Sequence, residues 1–200
     1  MKSRIQVLIV IIICLCSCGK KNLSTADYVS WVENESNGLS VTKSFEDIKY
    51  RLLYKPVDYI LAKELINNAI EKNEIESRKK ELGSMNYFTL RIESTTSNEL
   101  MRVNIKSEDE YYHRLEYFMS YMQDDIYLVD GTDTISPNLF HFERNYGLAP
   151  FNDFVLGFTK ASEKVNDLYL IYNDQVLETG KINIKINKAD ISGIPNLIIN

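Results

Sequence analysis

Asn86-Tyr87-Phe88-Thr89-Leu90-Arg91-Ile92-Glu93 is the stretch on which the fold class of this chain turns. Apolar and polar residues alternate through it, so an extended backbone places Phe88, Leu90 and Ile92 on one face and Thr89, Arg91 and Glu93 on the other. A strand with one apolar and one polar face belongs to an antiparallel sheet that buries a single side. Towards the C-terminus, further strands are predicted at 126–129, 139–144, 151–159, 168–172 and 182–186, with turns at Asp130-Gly131 and Asn173-Asp174. No helical crossover separates them, which implies antiparallel pairing. Towards the N-terminus, Leu39, Val41, Lys43 and Phe45 alternate, Glu46-Asp47 turns the chain, and 48–54 returns as a second strand. Met101, Val103 and Ile105 predict one more.

Three segments carry helical signals. Ser24-Thr25-Ala26-Asp27 resembles a capping box and starts a helix that turns Tyr28, Trp31 and Val32 inward and stops at Asn37-Gly38. Pro56 opens a second, with Val57, Ile60, Leu61, Leu65 and Ala69 at helical spacing; residues 71–81 prolong it or fray from it, and Gly83 ends it. Ser107-Glu108-Asp109-Glu110 begins a third, with acids at its positive end and the stripe Tyr111, Leu115, Phe118, Met119, Met122. The expected class is α+β: an antiparallel sheet with two to three packed helices and a C-terminal half made mostly of strands.

The N-terminus has a different character. Lys2 and Arg4 precede an apolar run over 7–15, shorter than the roughly 20 residues needed to cross a bilayer, and this reads as a signal peptide. Leu15-Cys16-Ser17-Cys18 follows and resembles the lipobox of bacterial lipoproteins, although Cys16 stands where a small aliphatic or hydroxyl residue is commoner. The resemblance implies a diacylglyceryl group on the Cys18 thiol, cleavage just before it, and a place in the cell envelope. Gly19 after the cysteine resembles the pattern that sorts lipoproteins to the outer membrane. The alternatives are an ordinary secretory signal or an uncleaved anchor. Expected boundaries are a signal peptide over 1–17, a lipidated tether over 18–23 and a single domain over 24–200. A fainter resemblance to small lipoproteins of Bacteroidetes type rests on Trp31, Asn37-Gly38-Leu39, Tyr54-Lys55-Pro56 and Ile194-Pro195, and supplies no catalytic position.

Composition removes several functions. The chain has 23 Lys and Arg against 28 Asp and Glu, a net charge of −5 that loss of Lys2 and Arg4 makes more negative. No basic footprint for nucleic acid remains. All three cysteines, Cys14, Cys16 and Cys18, lie in the leader or at its cut, so disulfides, thiolate metal sites and cysteine catalysis are excluded from the domain together. His113 and His141 are the only histidines, and no HExxH pattern contains them. Asp124, Asp125, Asp130 and Asp133 lack the spacing of a calcium loop. No GxSxG elbow, P-loop or dinucleotide fingerprint occurs. Arg78-Lys79-Lys80, beside Glu76 and Glu81, reads as a solvated helix end rather than a phosphate site. No catalytic, cofactor-binding or metal-ligating residue is therefore expected.

Aromatic residues are the unusual abundance, with 13 Tyr, 8 Phe and Trp31. One helix cannot bury Tyr111, Tyr112, Tyr117 and Tyr121 on a single face, so Tyr112, Tyr117 and Tyr121 are the candidate interaction surface. The expected function is a non-enzymatic accessory or assembly subunit, held to the membrane by lipid on Cys18 and binding another envelope protein. A glycan- or peptide-binding lipoprotein that uses its Tyr and Trp surface is the alternative. An envelope hydrolase, which requires His113 or His141 in a cleft with a serine and a carboxylate, is the third.

Overall fold

The computed structural model describes residues 20–162 and 164–199; the expected signal peptide and Cys18 lie outside them. β1 (Asn22–Leu23) leads into α1 (Thr25–Glu33). The Ser24 hydroxyl caps this helix, accepting from the Asp27 amide and donating to the Asp27 carboxylate. A 3₁₀ turn follows and closes on Gly38, whose φ of 77° lies in the left-handed region. β2 (Ser40–Phe45) and β3 (Ile48–Lys55) then form a hairpin through Glu46. Pro56 starts α2 (Val57–Ile66). This helix does not continue to residue 81: Asn68 takes a left-handed φ of 53°, and α3 (Ile75–Leu82) begins separately. Leu61, Ile75 and Leu82 pack together there with Tyr87 against them. The basic run anchors the same unit, Arg78 on Glu64 and Glu81 and Lys79 on Asp58.

β4 (Met85–Ser94) contains the decisive stretch, and its residues alternate between buried and half-buried from end to end. The strand expected at Met101, Val103 and Ile105 does not form. Leu100–Arg102 is a 3₁₀ turn in which the Leu100 carbonyl accepts from the Val103 amide and, with the Met101 carbonyl, from the Arg114 side chain rather than from a neighbouring strand. α4 (Glu108–Glu116) starts at a reciprocal cap, the Ser107 hydroxyl accepting from the Glu110 amide while the Glu110 carboxylate accepts from the Lys106 amide. Past Glu116 the helix widens into a π turn over Tyr117–Tyr121 and then tightens over Met122–Asp125.

The remaining strands are β5 (Ile126–Asp130), β6 (Asp133–Ile135), β7 (Leu139–Glu143), β8 (Phe151–Thr159), β9 (Leu168–Asn173) and β10 (Lys181–Ile186), followed by the short α5 (Lys188–Ser192) and β11 (Asn196–Leu197). They divide between two antiparallel sheets, ordered β2-β3-β4-β8-β7 and β10-β9-β5-β6. The α+β class is as the sequence implies; the division into two sheets is the added detail. Their apolar faces share one core, in which Tyr50 of the larger sheet meets Tyr172 of the smaller at 6.2 Å between ring centroids. A separate parallel pair joins β1 to β11, so the tether expected over 18–23 is already part of the fold at Asn22–Leu23.

Candidate docking surface and neighbouring clefts

The N-terminal half of α4 lies beside the loop that joins β7 to β8. Tyr111 is half-buried, and Tyr112, 63 % exposed, meets its ring edge-on at a centroid distance of 5.5 Å. Arg144, just after β7, donates from Nη2 to the Tyr111 hydroxyl at 3.1 Å and lies 4.8 Å over the ring of Tyr146. Arg102 covers Tyr111 from another side at 4.7 Å. The result is a continuous platform of tyrosine rings and guanidinium planes, built from elements far apart in sequence.

The loop is wired to present that platform. Leu148 donates its amide to the Asn145 carbonyl at 3.1 Å, and the two residues between them, Tyr146 and Gly147, have φ of 54° and 77°. Two positive φ values define a primed turn, which normally takes Asn, Asp or Gly in both places. The Asn145 side chain stabilises it, accepting from the Gly147 amide and donating to the carbonyls of Ala149 and Phe151. Tyr146 and Leu148 are left 75 % and 89 % exposed. A left-handed tyrosine costs about 1–2 kcal/mol.

Charge at this surface is unevenly matched. Arg102 engages Glu108 at 2.7 Å and Glu99 at 3.3 Å, and Arg91 engages Asp153 at 2.7 Å. Among the described residues, Arg144 has no carboxylate within 4.0 Å.

Of the three tyrosines read from the sequence as an interaction surface, Tyr112 belongs to the platform. Tyr121 is exposed but makes no ring contact with it. Tyr117 is a correction: it is buried, donates its hydroxyl to Asp125 at 2.8 Å, and burial pushes its phenol pKa well above the ordinary value. The inward face of the helix includes Arg114 and Tyr117, while Met119, expected inside, is 58 % exposed. The reason is that neighbours cover the helix on two sides, Phe142 and Phe154 against Phe118, and the Leu100–Val103 and Val176 backbone against Arg114. Arg144 and Tyr146 were not legible as site residues, because only the tertiary fold brings them to α4.

His113 is exposed and lines a polar cleft of about 400 Å³ with Lys106, Glu110, Arg114 and Glu178. No serine lines that cleft. His141 is exposed on the outer side of β7. Among the described residues, neither histidine hydrogen-bonds to a serine or a carboxylate, so the arrangement a hydrolase reading requires does not form there. The aspartates considered for calcium are dispersed: Asp125 accepts from Tyr117 and Gln175, and Asp130 accepts from Asn166. No group of three metal-ligating side chains gathers among the described residues. A smaller cleft of about 120 Å³ lies over buried Tyr54, Asn86 and Asp130. Burial, reinforced by the Asp130 charge, pushes the Tyr54 phenol up to about 12.

No protein-family model, curated protein or solved structure matches this chain.

Proposed function

We propose that the protein is a lipid-anchored envelope subunit, attached through Cys18, that has no catalytic role of its own and docks another envelope protein on the Tyr111, Tyr112, Arg144 and Tyr146 platform. The observation that carries the reading is Tyr146: a tyrosine in a turn position suited to Asn or Gly, three-quarters exposed to solvent beside an arginine that has no carboxylate partner among the described residues. Tyrosine and arginine are the side chains on which binding energy between proteins concentrates. A glycan reading calls for aromatic rings in a concave site with convergent polar groups. None of the clefts described above is lined by Tyr111, Tyr112 or Tyr146, which favours a protein partner. The anchor rests on the lipobox-like sequence; no helix among the described residues is long and apolar enough to cross a membrane.

The test is photo-crosslinking in native cells from probes placed at positions 112 and 146. One envelope protein captured at both positions, and captured about tenfold less when the remaining platform tyrosine is changed to alanine, is the expected result. Failure of both positions to capture a common protein overturns the docking role.

A further inference from the structure

The chain enters and leaves the fold at one pole. The Lys21 carbonyl accepts from the Asn196 amide and the Leu23 carbonyl from the Ile198 amide, each at 2.8 Å, so β1 and β11 run side by side there. Three residues take the chain from Cys18 to Lys21, a reach of at most about 11 Å. Whatever holds Cys18 therefore holds this pole close to it.

The same pole carries an apolar opening. Leu65, Ile66, Ile198 and Ile199 line a cleft of about 230 Å³, with Ser24, Thr25 and Lys72 at its rim and no carboxylate in its lining. Ile66 is 47 % exposed and Ile198 41 %. Lys20, Lys21 and Lys72 are exposed, and among the described residues none of them forms an ion pair. Exposed isoleucines with Lys72 at the cleft's rim and Lys20 and Lys21 beside the β1–β11 pair, a few residues from Cys18, match the chemistry of a bilayer surface. Apolar side chains enter the boundary between headgroups and acyl chains, while lysines meet anionic phosphates.

We propose that this pole is a membrane-resting face: Ile66 and Ile198 insert into the bilayer that holds the Cys18 lipid, and Lys20, Lys21 and Lys72 contact anionic headgroups. The proposal rests on the anchor reading, extending it from a tether to a fixed seat on the membrane.

The experiment uses the leaderless chain, residues 18–200, in which Cys18 is the sole thiol because Cys14 and Cys16 lie upstream. The thiol is coupled to a maleimide lipid in vesicles of phosphatidylethanolamine and phosphatidylglycerol whose acyl chains are brominated. Ile66→Trp and Ile198→Trp variants are compared with the parent, where Trp31 alone emits. The expected result is about twofold stronger quenching of the introduced tryptophans than of Trp31, as for side chains at the acyl boundary. Quenching equal to the parent in both variants overturns the seat. The anchor reading is read separately, from the mass of the Cys18 peptide in native membranes: an acylated peptide together with unquenched tryptophans leaves the anchor standing and the seat refuted.

Discussion

Arg114 Nη1 donates to the Val103 carbonyl at 2.7 Å, and the same guanidinium holds Met101 through Nη1 and Val176 through Nη2. A buried cation thus replaces the strand that would otherwise satisfy these carbonyls. Arg114→Ala should leave several buried acceptors unpaired and cost about 3 kcal/mol, since bonds to charged groups contribute roughly 1.5–3 kcal/mol each. Arg114→Lys should recover only part of this, because a point charge cannot span acceptors held by a planar fork. Urea unfolding measures both, and a loss under about 1 kcal/mol for the alanine variant would contradict the pinning role.

Tyr146→Asn should raise stability while weakening docking. Asparagine tolerates the left-handed region, so relief of strain outweighs loss of the contact with Arg144 by about 0.5–1 kcal/mol. For a chain of this size that is a rise of about 1–4 °C in melting temperature. An unchanged or lower melting temperature would show that the turn holds tyrosine without cost.

Arg144→Glu should abolish capture of the proposed partner from position 112, because the site then repels the carboxylate expected opposite a guanidinium that meets no carboxylate among the described residues. The melting temperature should move by only about 2–4 °C, as for loss of one half-buried hydrogen bond. Crosslinking that survives the charge reversal would remove Arg144 from the interface.

Alkaline pH should unfold the protein cooperatively. Burial is the first cause of the raised phenol pKa at Tyr28, Tyr50, Tyr54, Tyr59, Tyr117 and Tyr172. A group whose folded pKa lies above its unfolded value keeps its proton longer in the native state, so its contribution is complete below about pH 10 and declines as pH rises through the folded value. For Tyr54 the window runs from about 10 to about 12. Tyrosinate absorbance from these buried rings should rise in one step with loss of near-ultraviolet circular dichroism. Gradual ionisation in a protein that keeps its tertiary signal would argue against their burial.

What the sequence revealed and what it hid follow one physical division. Strands such as β4 and the cap at Ser107 were legible because alternation and capping are local, written within a few consecutive residues. The break after α2 also had a local sign in Asn67-Asn68, a pair suited to a left-handed stop, but the helical spacing around it masked that sign. Met101, Val103 and Ile105 alternate like a strand and form a turn instead, because Arg114 supplies the missing hydrogen bonds from a separate element. Tyr117 lies inside because the shared core covers it and the widened π turn aims its hydroxyl at Asp125, a change of helical phase that regular spacing does not reveal. The platform was half legible: Tyr112 stood out on its helix, whereas Arg144 and Tyr146 join it only across a distance in sequence that periodicity does not encode.

The pairing of β1 with β11 also gives the protein a mechanical order of failure. Force applied through Cys18 reaches Asn22–Leu23 first, and that strand is held by only two residue pairs, whereas the central strands of the larger sheet are held by ladders of eight and nine. With Cys18 as the proposed attachment point, this short pair should detach first under load, like a fuse, lengthening the tether by about 7 Å while both sheets stay intact.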